Sequence, residues 1–212
     1  TISIHFFIFI CMGFLNSYCI AQEVKFSLPQ KIPQKISEYD IIGRTAEGIV
    51  VHKWGEKINQ LEVYDKSDLR LKWQRELDLG DKRAKVLQII PYPQEMIIIF
   101  SIKRIRTTYI YARKVIAAMR DISDDIMIDT IVNKFGSYGF KHKVDVSQNK
   151  KYINVWRYDY NFNGLDYIEN FLINRDLEEV SNARFDLEEK TVIRETLVSN
   201  EGDVFVVKAR TK

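Results

Sequence analysis

Cysteine is almost absent from this 212-residue chain, and its two copies, Cys11 and Cys19, both fall within the first 21 residues. If that stretch is removed, the remainder can form no disulfide, thiolate metal site or cysteine nucleophile. Histidine is nearly as scarce: beyond the opening stretch only His52 and His142 remain, far apart in sequence. Neither sign of charge dominates. The net charge is +3, with acids and bases interleaved, which excludes the basic footprint of a nucleic-acid binder. The hydrolase and phosphate-binding signatures Gly-x-Ser-x-Gly, His-Glu-x-x-His and Gly-x-x-x-x-Gly-Lys are also missing. The sequence therefore nominates no catalytic, cofactor-binding or metal-binding residue.

What is present begins with an apolar run. The first residue is Thr1 rather than Met; Ile2–Leu15 is almost wholly apolar, and residues 16–21 are smaller and more polar. A short apolar core ending in small residues reads as a secretory signal peptide, residues 1–21, with cleavage between Ala21 and Gln22. The run is shorter than the roughly 20 apolar residues of a spanning helix. No membrane span is expected in the mature chain, which would be secreted or periplasmic. A lipoprotein signal ending at Cys19 fits poorly, because bulky Tyr18 stands where a small residue is wanted. Residues 22–38 form a polar lead-in with Pro29 and Pro33.

From 39 to 212 the chain reads as short alternating strands separated by turns. Tyr152–Asp176 is the clearest stretch: two aromatic-rich alternating runs flank Asn163-Gly164, a pair suited to the centre of a type I′ hairpin turn. A first unit spans Tyr39 to Leu77. A second contains Met96–Ile102, a continuous apolar run suggesting a strand buried on both faces. The third surrounds the hairpin, and a fourth starts at Thr191. Taking the inner strands to begin at Ile49, Met96, Tyr152 and Val204, the repeat is roughly 50 residues, close to the propeller-blade period. The expected fold is all-β: about three and a half propeller-type blades of four antiparallel strands, a fragment of a larger propeller. A β-sandwich, an open meander, or an α+β fold with a helix in Ile116–Val132 are the alternatives.

The run from Leu61 through Tyr64-Asp65 and Leu69 to Trp73 and Leu77 resembles the blade edge of secreted, uncharacterised propeller-like proteins from Bacteroidota. Leu172–Leu177 repeats its pattern. Val198–Val207 is similar to their Asp-Asn-x-Gly-Asn-Val-Tyr hairpin, and Ala21-Gln22 to their signal-peptide ending. The resemblance implies a propeller and an exported location, but no activity, since fold does not imply function.

Several residue groups invite a chemical reading. Asp159-x-Asn161-x-Asn163-Gly164 starts like a calcium loop, but Asn170 stands where a full EF-hand loop has Glu, and Glu169 is one place early. The Asn-Gly turn alone accounts for these residues. Lys103, Arg104 and Arg106 with Arg113 and Lys114, near Tyr109 and Tyr111, make a basic hairpin that could meet phosphate or sulfate groups. Exposed hairpin charge that discourages edge pairing is the plainer reading. Trp54, Trp73 and Trp156 with Tyr158, Tyr160 and Tyr167 could form a carbohydrate platform, although alternating strand aromatics usually pack between sheets. His52 and His142 are expected to be structural or solvated, and Asp121, Asp124, Asp125 and Asp129 to form a solvated face.

The function expected from these readings is an exported, non-catalytic scaffold that presents a rigid surface to another protein or a cell-envelope polymer. The rival is the propeller part of a secreted hydrolase whose catalytic residues lie outside this stretch.

Overall fold

The computed structural model describes residues 38–56, 58–116, 123–132, 140–161, 164–188 and 191–210. The signal and lead-in readings for residues 1–37, and Asp121, lie outside them. Among the described residues there are fourteen strands and no helix. Strands β1 (Glu38–Arg44), β2 (Ile49–Trp54), β3 (Asn59–Tyr64) and β4 (Leu71–Glu76) form the first up-and-down antiparallel sheet. The second sheet contains β5 (Ala84–Pro91), β6 (Glu95–Lys103), β7 (Thr107–Ile116) and β8 (Ile126–Val132). The third contains β9 (Phe140–Val146), β10 (Tyr152–Asn161), β11 (Gly164–Asn174) and β12 (Glu179–Asp186). A two-stranded sheet of β13 (Thr191–Val198) and β14 (Val204–Arg210) follows. The protein is all-β, with propeller-type sheets of four antiparallel strands.

Between neighbouring sheets the first strands meet, β1 with β5, β5 with β9, and β9 with β13, and β10 and β11 meet β13 as well. The strands starting at Ile49, Met96 and Tyr152 each lie between two partners within their own sheet. One expectation needs correction, the setting of the hairpin in the third sheet. Gly164 pairs with Asn161 as the first residue of β11, one step past the centre of the turn; residues 162–163 lie outside the described residues.

Sheet stacking explains the apolar run of β6. Met96, Ile98, Phe100 and Ile102 face a core shared with the first sheet, through Val50, Leu61, Val63, Leu77 and Leu79. Ile97 and Ile99 point the other way, into a core with Ile153, Val155, Phe171 and Ile173 of the third sheet. Each such side chain contributes about 1.5–3 kcal/mol on burial, an upper estimate. The fourth strand of each complete sheet is its outer edge. There β4 and β12 are largely exposed and carry charges such as Lys72, Arg75, Arg184 and Asp186, which suppress edge-to-edge pairing. The outward face of β13–β14 shows Leu197, Phe205 and Val207 about half exposed, with Glu195 beside them opposite Val207.

The β1–β2 turn requires glycine at one position. Gly48 has φ +157°, and a Cβ there would fall on the Tyr64 carbonyl oxygen and against Val63. This close approach lets β3 lie beside the turn, where Ile49 pairs with Tyr64.

Candidate binding cleft

Between the first and second sheets the stacked cores give way to a cleft of about 1120 Å³. One wall is built by β1 and β2. Their register sets Glu38 opposite Trp54 and Asp40 opposite His52, and directly opposed residues of antiparallel strands share a face. The other wall is the β4–β5 connection, residues 77–83, with the start of β5. Leu77, Leu79 and Ile89 belong both to the apolar core and to the cleft lining, so the core serves as the floor.

The rings of His52 and Trp54 stack at 4.8 Å between centroids, 25° from parallel. Asn59 ties this pair to the opposite wall. Its amide nitrogen donates to the Leu77 carbonyl at 3.2 Å, and its side-chain oxygen therefore faces His52, accepting from Nε2 at 2.7 Å. With Nε2 donating, a neutral ring carries its lone pair on Nδ1. Burial holds the imidazole below its ordinary pKa, partly offset by the Asn59 bond and the Asp40 charge, so His52 is neutral at pH 7. The connecting wall is equally anchored. Arg113 reaches from β7 to the Asp78 carbonyl at 2.7 Å, and Asp78 Oδ1 accepts from the Gly80 amide at 2.8 Å. Hydrogen bonds from Arg83 hold the Asp81 carboxyl down to about 2.

The residues singled out by sequence disperse. His52 and Trp54 meet in the cleft. Trp73 packs against the first core, and Trp156 is fully buried, its indole donating to Asp145 at 2.7 Å. The Tyr167 ring lies under the Arg184 guanidinium at 3.7 Å, and Tyr158 is half-buried on β10. These positions make no common carbohydrate platform; the side chain of Tyr160 lies outside the described residues. The basic hairpin also divides. Lys103, Arg104 and Arg106 are exposed at the β6–β7 turn, whereas Arg113 and Lys114 sit near the other end of β7. Arg113 is buried, bonded to Asp125 at 2.5 and 3.0 Å with its guanidinium over Phe100, and Lys114 bonds Asp176 at 3.0 Å. The calcium reading depends on the side chains of Asn161 and Asn163, outside the described residues. Among the described residues no group of three or more His, Cys, Asp or Glu could hold a metal ion, and no helix is long and apolar enough to cross a membrane.

Sequence reading missed a part-buried charge cluster between the second and third sheets. Arg157 of β10 donates to both oxygens of Asp129 of β8, at 2.7 and 2.9 Å, and also to Glu169 of β11. His142 of β9 lies beside Asp129, Nε2 to Oδ2 3.9 Å. Asp129 therefore faces no solvated loop, and His142 is buried, its side chain 7% exposed.

No protein-family model matches the sequence, and no curated protein does. Among solved structures the chain is similar to hydrazine synthase of Kuenenia stuttgartiensis, with a TM-score of 0.33 and 10% sequence identity. The match covers 91% of this chain and 59% of that one, less than two thirds of its length. A likeness this distant carries no chemistry across.

Proposed function

We propose that the protein is an exported, non-catalytic binding scaffold of the cell envelope, related in kind to the secreted propeller-like proteins of Bacteroidota. Its cleft between the first two sheets holds another protein or an envelope polymer. The cleft itself carries this reading. It is large, has an apolar floor, and Asn59 ties His52 of its aromatic pair to the Leu77 carbonyl of the other wall. Binding sites combine such concavity with a few fixed polar groups. His52 favours binding over catalysis: it is buried, and its Nε2 is committed to an amide oxygen rather than to a nucleophile.

Co-sedimentation with isolated cell-envelope fragments tests the role of the cleft. The wild-type protein should be retained, and Trp54→Ala should lose most of that retention without a large change in melting temperature. Equal retention of the two proteins would move binding away from the cleft. Export has its own test. Expressed from the full sequence with its native start, the protein should leave the cytoplasm with Gln22 as its first residue, as N-terminal sequencing would reveal. A chain kept in the cytoplasm with residues 1–21 attached would overturn the exported location.

A further inference from the structure

We propose that the occupant of the cleft is cationic: a lysine- or arginine-bearing segment of a partner polypeptide. The proposal rests on the reading of the cleft as a binding site and adds the chemistry of what fills it. Three features of the cleft converge.

The first is charge. Among the described lining residues, six carboxylates (Glu38, Asp40, Glu56, Glu76, Asp78 and Asp81) stand against two lysines, Lys82 and Lys85. Asp81 is engaged by Arg83 at 2.8 Å, and Glu38 and Asp40, both exposed on β1, are the carboxylates placed to meet a cation. His52 adds no compensating positive charge, because its burial keeps it neutral at pH 7.

The second is the aromatic pair. Cross-strand pairing puts Glu38 and Asp40 on the face that carries Trp54 and His52. An ammonium or guanidinium entering there meets carboxylates and the negative face of an indole together. The third is the floor. Leu77, Leu79 and Ile89 lie beneath this polar rim, a surface suited to the methylene stem of lysine or arginine while its head stays at the rim. The cleft, about 1120 Å³, lies at or just above the upper end of the roughly 300–1,000 Å³ of small-molecule sites and has room for a segment. A neutral saccharide could also stack on Trp54 but has no use for the excess of carboxylates, and an anion would be repelled.

Calorimetric titration of the whole protein with tri-arginine, tri-glutamate and chitotriose tests this. Tri-arginine should bind. Its dissociation constant should rise several-fold between about 50 and 300 mM salt, because screening shortens with ionic strength. Asp40→Asn and Trp54→Ala should each weaken it by about five- to tenfold. Asp40 is exposed, so its replacement should leave the melting temperature unchanged, and Asp186→Asn on the distant outer strand should leave binding unchanged. Tri-arginine binding that is indifferent to salt or to Asp40→Asn would overturn the assignment. Trp54-dependent binding of chitotriose or tri-glutamate, with tri-arginine silent, would refute the cation and leave the cleft a binding site. Silence of all three probes also refutes the cation, and the envelope co-sedimentation then judges the cleft independently.

Discussion

Arg157→Met is expected to lower the unfolding free energy by about 3–5 kcal/mol, the range for removing one partner of a buried ion pair. The guanidinium answers both Asp129 and Glu169, and the three side chains are 14, 6 and 17% exposed. Its carbon also lies 5.6–5.9 Å from the ring centroids of Phe140, Tyr167 and Phe171. Methionine keeps the packing against these rings but strands two carboxylates away from bulk water. The loss should therefore come from unpaired charge rather than from a cavity.

That origin is separable. Adding Asp129→Asn and Glu169→Gln to Arg157→Met neutralises the stranded groups and should recover a substantial part of the loss, because interacting sites are not additive. Urea unfolding monitored by tryptophan fluorescence measures both steps. A loss below about 1 kcal/mol for Arg157→Met would reduce the cluster to the value of a surface pair. Asp129 comes from the second sheet and Arg157 from the third, so the same measurement shows how firmly neighbouring sheets are bolted together at that end of their shared core.

Much of this architecture was legible in the alternation of apolar and polar residues. The double-sided burial of β6 follows from its unbroken apolar run, and the four-strand units follow from the turns between them. Ile116–Val132 was ambiguous because Ile116, Met119, Ile122 and Ile126 fall by spacing on a helical face. Pairing decides for the strand at its end, where Met127 lies opposite Tyr111 and Ile131 opposite Thr108. That the first strands meet across sheets was not legible, because β1 and β9 carry so many polar residues, Glu38 and Asp40 in one, Lys141 and Lys143 in the other.

The sites were less legible, for reasons of register. A turn centred on Asn163-Gly164 would set Arg157 opposite Asn170; the actual pairing sets it opposite Glu169 and creates the ion pair. A slip of one residue changes every partner and face in a hairpin. Arg113 shows the limit of sequence proximity. It lies seven positions from Arg106 along an extended strand, about 23 Å away at roughly 3.3 Å per residue. It therefore serves Asp125 and the wall of the cleft instead of the basic turn. The cleft depends on two separate segments, the β1–β2 pair and the β4–β5 connection, and no single run of sequence carries the fact that they meet.

Trp156→Ala is expected to cost about 3–5 kcal/mol, the usual range for emptying a buried tryptophan site. Its side chain is fully buried on the face of the third sheet that turns toward β13. Its indole nitrogen donates to Asp145 at 2.7 Å, and that carboxylate also takes the Thr196 hydroxyl at 2.5 Å and the Lys143 ammonium at 3.1 Å. Packing and hydrogen bonding thus act at one residue, and Trp156→Phe separates them. Phenylalanine keeps most of the ring but leaves Asp145 with two donors instead of three, so its cost should be nearer 1–3 kcal/mol, about the value of a hydrogen bond to a charged group. If the two variants were equally destabilised, the bond rather than the ring would hold β13–β14 onto the third sheet. If Trp156→Phe were neutral, packing alone would hold it. The expected intermediate value means that both contribute, and Thr196→Val should then add little to Trp156→Ala, because the carboxylate they share has already lost its place.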